Sequence, residues 1–196
     1  YLIDSEGYIR YDHIGEGGYE ETEEKIRELL DEIGRNTKNI ETTKEESKKN
    51  KFFITPELYA GHSFALSRGQ NIGNEEGLQP GKTFSYELPD KIDANKIYLE
   101  GKWKSNSDDL ELIGESGSIA LSFYGSSANI VADSKSEEMN IEVLINSDYI
   151  KKEQAGRDVQ FNGSKAFIKI DEPQLYNVVE GDYGNYKLTL KINSKD

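Results

Sequence analysis

The sequence predicts a mainly β protein: a jelly-roll-like β-sandwich preceded by a β-hairpin and one helix. Three observations predict it. From Phe52 onward the chain is a succession of short segments in which apolar and polar residues alternate, separated by Gly, Asn and Asp turns, the pattern of half-buried strands in a sandwich or jelly roll. Asn162-Gly163 stands between two such segments, the strongest short hairpin signal. A helical period occurs over Tyr19 to Ile33, where Ile26, Leu29, Leu30 and Ile33 fall at i, i+3, i+4 and i+7.

Tyr1 to Asp4 reads as a short strand, Ser5-Glu6-Gly7 as a turn and Tyr8 to Ile14 as a second strand. Gly15-Glu16-Gly17-Gly18 ends the hairpin. In the helix that follows, Glu20, Glu21, Glu23 and Glu24 crowd the first turns, where the helix dipole favours negative charge. Gly34 is its natural stop. A hairpin and one helix cannot stand alone. Burying the four stripe residues is worth about 6–12 kcal/mol, so the larger domain or a second copy of the chain is expected to cover the 19–33 helix. Residues 1–34 are therefore one unit. Residues 35–51, rich in Lys, Glu, Thr and Asn, are a solvated linker, and 52–196 form the β domain.

Within that domain the anchor is Ile97 to Trp103. Ile97, Leu99, Gly101 and Trp103 share one face, while Tyr98, Glu100 and Lys102 share the other. Trp103 is the only tryptophan, and an indole of that size fits either a core anchor or an exposed platform for a sugar ring. The other expected strands are Lys82 to Leu88, Leu110 to Ile113, Ser118 to Tyr124, Asn129 to Ala132, Met139 to Ile145, Val159 to Phe161, Lys165 to Ile170, Leu175 to Val179 and Tyr186 to Ile192.

Composition narrows the function. A net charge of −13 over 196 residues argues against nucleic acid, which needs a basic footprint. No apolar run is long enough to span a bilayer, and none reads as a signal peptide. A start at Tyr1 rather than Met reads as a piece of something longer. The absence of Cys removes disulfides, thiolate metal sites and dithiol chemistry from this chain. His13 and His62, the two imidazoles, have no metal-ligand spacing. Asn106-Ser107-Asp108-Asp109 is rich in oxygen but departs from the EF-hand pattern and reads as a polar turn. Asn162-Gly163-Ser164 fits a glycosylation sequon, but the hairpin already accounts for it. Nothing in the sequence requires a metal or a cofactor.

Several segments together resemble a known family. Tyr1-Leu2-Ile3-Asp4, Gly7-Tyr8-Ile9-Arg10-Tyr11, Gly15-Glu16-Gly17 and Tyr19-Glu20-Glu21-Thr22-Glu23 resemble the C-terminal end of a redoxin-type thioredoxin-like domain. Thr55-Pro56-Glu57-Leu58-Tyr59-Ala60-Gly61, Glu100-Gly101-Lys102-Trp103, Gly156-Arg157-Asp158-Val159 and Leu175-Tyr176-Asn177-Val178-Val179 resemble the β-rich domain that follows it in DipZ-like thiol–disulfide interchange proteins. The close, Lys191-Ile192-Asn193-Ser194, lacks the aromatic-rich ending usual there.

The resemblance implies an extracytoplasmic module of a membrane-anchored oxidoreductase, with a terminal domain shaped like a carbohydrate-binding module. The family's Cys-x-x-Cys and cis-proline would lie upstream of Tyr1, so no catalytic residue carries over. Two functions follow as expectations: an accessory module docking on a protein client, or a binder of a cell-surface glycan. For the second, the candidate residues are Trp103, Tyr59, Tyr124 and Tyr176 as aromatic faces, with Arg157 and Asp158 as polar partners.

Overall fold

The computed structural model describes residues 1–13, 18–37, 40, 53–134 and 139–193. It divides into two compact units, residues 1–51 and 52–196.

In the first unit, strands β1 (Leu2–Ile3) and β2 (Ile9–Tyr11) pair antiparallel. Their turn is shaped by Asp4, whose Oδ1 accepts from the amides of Glu6 at 3.0 Å and Tyr8 at 2.9 Å. Helix α1 spans Tyr19–Glu32. Gly34, at φ 76°, closes it in the left-handed conformation as the sequence predicts. Arg10 joins hairpin to helix, donating twice to the Glu32 carboxylate at 2.8 and 2.9 Å and once to Asp4 at 3.2 Å. The helix buries none of its residues: Ile26 is 39% exposed and Ile33 53% exposed. Leu29 and Leu30 are half-buried within this unit.

Most of the expected linker lies outside the described residues. Of its first residues Arg35 and Asn36 are exposed, while Thr37 is buried and its carbonyl accepts from Arg27 at 2.9 Å.

The second unit is the expected mainly β domain. Its strands are β3 (Thr83–Tyr86), β4 (Ile97–Ser105), β5 (Leu110–Ala132), β6 (Met139–Ile145), β7 (Asp148–Tyr149), β8 (Val159–Asn162), β9 (Lys165–Ile170) and β10 (Gln174–Asn193). They form one antiparallel sheet in the order β3-β4-β5-β10-β6-β9-β8, with β7 added on β6. The long β5–β10 ribbon runs from Ser116↔Asn193 to Ala132↔Gln174, with bulges near Val179 and Gly184. Tyr176 and Val178 from one end and Leu188 and Leu190 from the other enter one core with Leu99, Trp103, Val143, Ile168 and Ile170, so the ribbon curves around that core.

Two expectations are corrected. Leu110–Ile113, Ser118–Tyr124 and Asn129–Ala132 are one strand, and so are Leu175–Val179 and Tyr186–Ile192. The glycine-rich gap before Ser118 is not a turn between strands. A Cβ on Gly117 would lie 2.6 Å from Leu112 Cδ1 and 3.2 Å from Trp103 Nε1, so the glycine makes room for the indole within the strand. A short helix α2 (His62–Ser67) precedes the sheet, in a stretch for which the sequence names no element.

One buried polar side chain holds the edge of β4. Where β3 no longer pairs, Asn74 stands in for a neighbouring strand. Its Oδ1 accepts from the Leu99 amide at 2.8 Å, and its Nδ2 donates to the carbonyls of Leu99 and Glu87, each at 2.9 Å. Replacing Asn74 with Ala leaves these buried backbone groups without partners and is expected to cost about 3 kcal/mol. A urea titration with a lowered midpoint and unchanged slope would show it.

Candidate functional site

A cleft of about 860 Å³ opens on the outward face of the sheet in the second unit. Cross-strand register builds it. Glu100 on β4 faces Ser118 on β5, Ser118 faces Lys191 on β10, Lys191 faces Glu142 on β6, and Glu142 faces Phe167 on β9. These five side chains form a row perpendicular to the strands, about 19 Å from end to end at the usual strand spacing. Ser116, Asn193 and Asn140 line the cleft two residues further along their strands, and Asn162 and Lys165 close it from the β8–β9 hairpin.

The polar groups are held in place. Ser118 Oγ donates to Glu100 Oε2 at 2.8 Å, and Lys165 Nζ donates to Glu142 Oε1 at 2.8 Å. The Lys165 hydrogen bond holds the Glu142 carboxyl below the usual range; a hydrogen bond from Tyr149 and the charges of Lys165 and Lys191 act in the same direction, against partial burial. Burial, and then the Glu142 carboxylate, push the Tyr149 hydroxyl up. Lys191 makes no ion pair within 4 Å among the described residues. The two glutamates and two lysines balance, which leaves a locally neutral groove on a chain of net charge −13. Glu100 and Glu142 stand three strands apart, about 14 Å along the sheet. The carboxyl pairs of glycoside hydrolysis stand roughly 5–10 Å apart.

None of the six residues singled out from the sequence lines this cleft. Trp103 is 3% exposed, with its Nε1 donating to the Glu100 carbonyl at 2.8 Å, and Tyr176 is 2% exposed, with its hydroxyl donating to the Glu172 carbonyl at 2.7 Å. Both are core residues with no face left for a sugar, which corrects the platform reading and fits the core-anchor reading.

Tyr59 is half-buried; its hydroxyl donates to Glu57 at 2.9 Å, and its ring carries Phe64 and the Arg68 guanidinium. It borders a separate cleft of about 160 Å³. Tyr124 packs edge-on against Phe53. Asp158 is committed to the fold, accepting from the Asn177 amide at 2.6 Å, while the Arg157 side chain is 78% exposed. These four are not gathered into one site.

Asn106 spans its own loop to Asp109 and Glu111. His13 packs against Gly18, and His62 begins α2. Among the described residues no group of three potential ligands gathers for a metal, and no helix is long and apolar enough to cross a membrane.

A family model described as "Thioredoxin like C-terminal domain" matches residues 55–196. It begins at the Thr55-Pro56 segment that carries the resemblance in the sequence. Two curated proteins, each called Protein DipZ, from Mycobacterium bovis and Mycobacterium tuberculosis, are 29% identical to this chain over 133 residues. That stretch covers 67% of this chain and 18% of each relative, so the chain spans under a fifth of their length.

The Glu142 contact carries a pH signature. A carboxyl lowered in the native state contributes stability above its unfolded pKa, near 4.3. That contribution is lost as pH falls through the native value. Lys165→Met is expected to raise the Glu142 pKa toward the ordinary range, read from the side-chain carboxyl 13C shift during a pH titration.

Proposed function

Because the chain belongs to the thioredoxin-like C-terminal domain family, we propose that it is a non-catalytic accessory binding module of an extracytoplasmic thiol–disulfide oxidoreductase. The observation that carries this reading is a cleft bearing charged and amide side chains on a chain that contains no cysteine. Disulfide exchange needs a thiolate to attack a sulfur, so any such chemistry belongs to a covalently joined neighbour. The relation to the DipZ proteins and the resemblance of residues 1–34 to the end of a redoxin domain support that setting.

The chain alone is expected to leave the rate of insulin disulfide reduction by dithiothreitol unchanged. Fused behind a Cys-x-x-Cys thioredoxin domain, it is expected to leave kcat on a small soluble disulfide unaltered and to retain the fusion on cell-envelope material. A catalytic rate from the chain itself, or retention no greater than that of the bare thioredoxin domain, would contradict the proposal.

The partly exposed stripe on α1 motivates a second proposal, self-association through that helix. Completing the burial of Ile26, Leu29, Leu30 and Ile33, all of them already partly covered, offers less than the full-burial value of about 6–12 kcal/mol, against an association cost of about 4–15 kcal/mol. A weak, concentration-dependent dimer is therefore expected in sedimentation equilibrium. Ile26→Glu with Leu30→Glu should abolish it. A strictly monomeric parent chain would refute it.

A further inference from the structure

We infer that the open edge of β5 over residues 126–132 takes an extended polypeptide segment as an added strand, one with an uncharged, β-forming centre and Lys or Arg beyond each end. None of these residues lines the cleft. β4 covers that side of β5 only as far as Leu121. Asn95 then donates its amide to the Ser122 carbonyl at 2.9 Å. Thr55 donates its amide to the Tyr124 carbonyl at 2.9 Å, and its hydroxyl accepts from the Tyr124 amide at 2.9 Å. Beyond that point no described residue pairs with this side of the strand.

Register identifies the backbone groups left over. Asn177 on β10 donates its amide to Asp158 Oδ2 at 2.6 Å, and its carbonyl accepts from the Asp158 amide at 3.3 Å, so both groups point away from β5. Facing residues of an antiparallel ladder exchange both bonds or neither. Asn129, opposite Asn177, therefore turns its N–H and C=O away from β10, and so does Val131 two residues on. Past the bulge, Glu180 donates its amide to the Gln154 carbonyl at 2.9 Å, which gives its partner Ser127 the same orientation. Ser127, Asn129 and Val131 are all exposed. They offer donors and acceptors at every second position, the arrangement that strand addition reads.

The edge lacks the usual protection. Sheets blunt an open edge with Lys, with Pro or by keeping the strand very short. Residues 126–132 hold no charge and no Pro in a chain that is 31% charged, and they extend about 23 Å. The outer edges of β3 and β8 are only four residues each. Charge around the β5 edge is of one sign. Asp133 stands at one end and Glu180 and Asp182 at the other, with no ion pair to any of the three among the described residues. A cationic flank on the partner meets opposite charge at each end, whereas a second copy of this chain brings a net charge of −13 and the same carboxylates. Ala128 and Ile130, half-buried, pack on the core from the inner face. Apolar residues at alternate positions of the added strand complete their cover.

The test is an amide-resolved NMR titration of the whole chain with an end-capped peptide of alternating Val and Thr between Lys residues. Saturable shifts are expected at Ser127, Asn129 and Val131, whose amide protons gain protection from solvent exchange. A peptide with Pro at its centre is expected to lose this binding, and one with Glu in place of Lys to bind more weakly. Val131→Pro removes an outward donor and no bond to β10, and is expected to abolish binding. Val131→Lys, at a residue 80% exposed, is expected to weaken it by repelling the cationic flank, and serves should the proline variant unfold. No saturable response, a response centred on other residues, or equal binding of the Pro-interrupted or Glu-flanked peptide would overturn the inference. Concentration-dependent shifts at the same amides without peptide would overturn it too, by assigning the edge to a second copy. Retention of the fused thioredoxin domain on envelope material does not depend on this edge, so the two readings fail separately.

Discussion

The placement of the Trp103 indole is the constraint on which the rest of the β domain depends. Its ring lies in the core while its Nε1 donates to the Glu100 carbonyl at 2.8 Å, so one side chain is tied both to the apolar interior and to the backbone of the residue that opens the polar row. Room for the ring comes from Gly117 on the adjacent strand and from an irregular register: Gly101 pairs with Gly117 and Trp103 with Leu112. Gly101 takes φ 97° at that irregularity, a conformation that side-chain-bearing residues rarely adopt. In a sheet with one apolar and one polar face, a slip of one residue would exchange the two. The indole makes that slip very costly.

From that anchor the division of labour follows. Leu99 and Trp103 face inward with Val143, Ile168 and Leu190, while Glu100, Ser118, Lys191 and Glu142 face outward on the same strands. Asn74 secures the edge of β4 beyond its pairing with β3 by substituting for a missing strand. The cleft is thus the outer surface of the strands whose inner surface makes the core, which gives it a rigid base. Its polar groups need little ordering on ligand arrival, and that lowers the entropic cost of binding.

Much of the fold was legible in the sequence because the relevant signals are local. The alternation around Trp103, the Asn162-Gly163 turn and the helical period after Tyr19 each lie within a few residues. The continuity of β5 and β10 was not legible, because Gly117 and Gly184 look like turn glycines unless the neighbouring Trp103 and Tyr186 rings are known to press against them. The cleft was hidden for a different reason. Each of its residues was readable as the wet face of a strand, but Glu100, Ser118, Lys191, Glu142 and Phe167 become neighbours only through strand order. The Gly156-Arg157-Asp158 motif was legible as polar, but not what its polar groups bind. Asp158 and the Arg157 amide bind Asn177 to build a corner, and polar residues beside a glycine look alike in sequence whether they hold a ligand or the chain itself.

Hydrogen exchange at the Trp103 indole N–H, together with its nuclear Overhauser contacts, tests the core claim most directly. A proton protected to the level of global unfolding, with contacts to the Leu112 methyls and Gly117 Hα, is what a buried anchor requires. An indole proton exchanging at the rate of free tryptophan, with no contact to Leu112 or Gly117, would place the ring outside the sheet, and with it would go the assignment of the core and cleft faces.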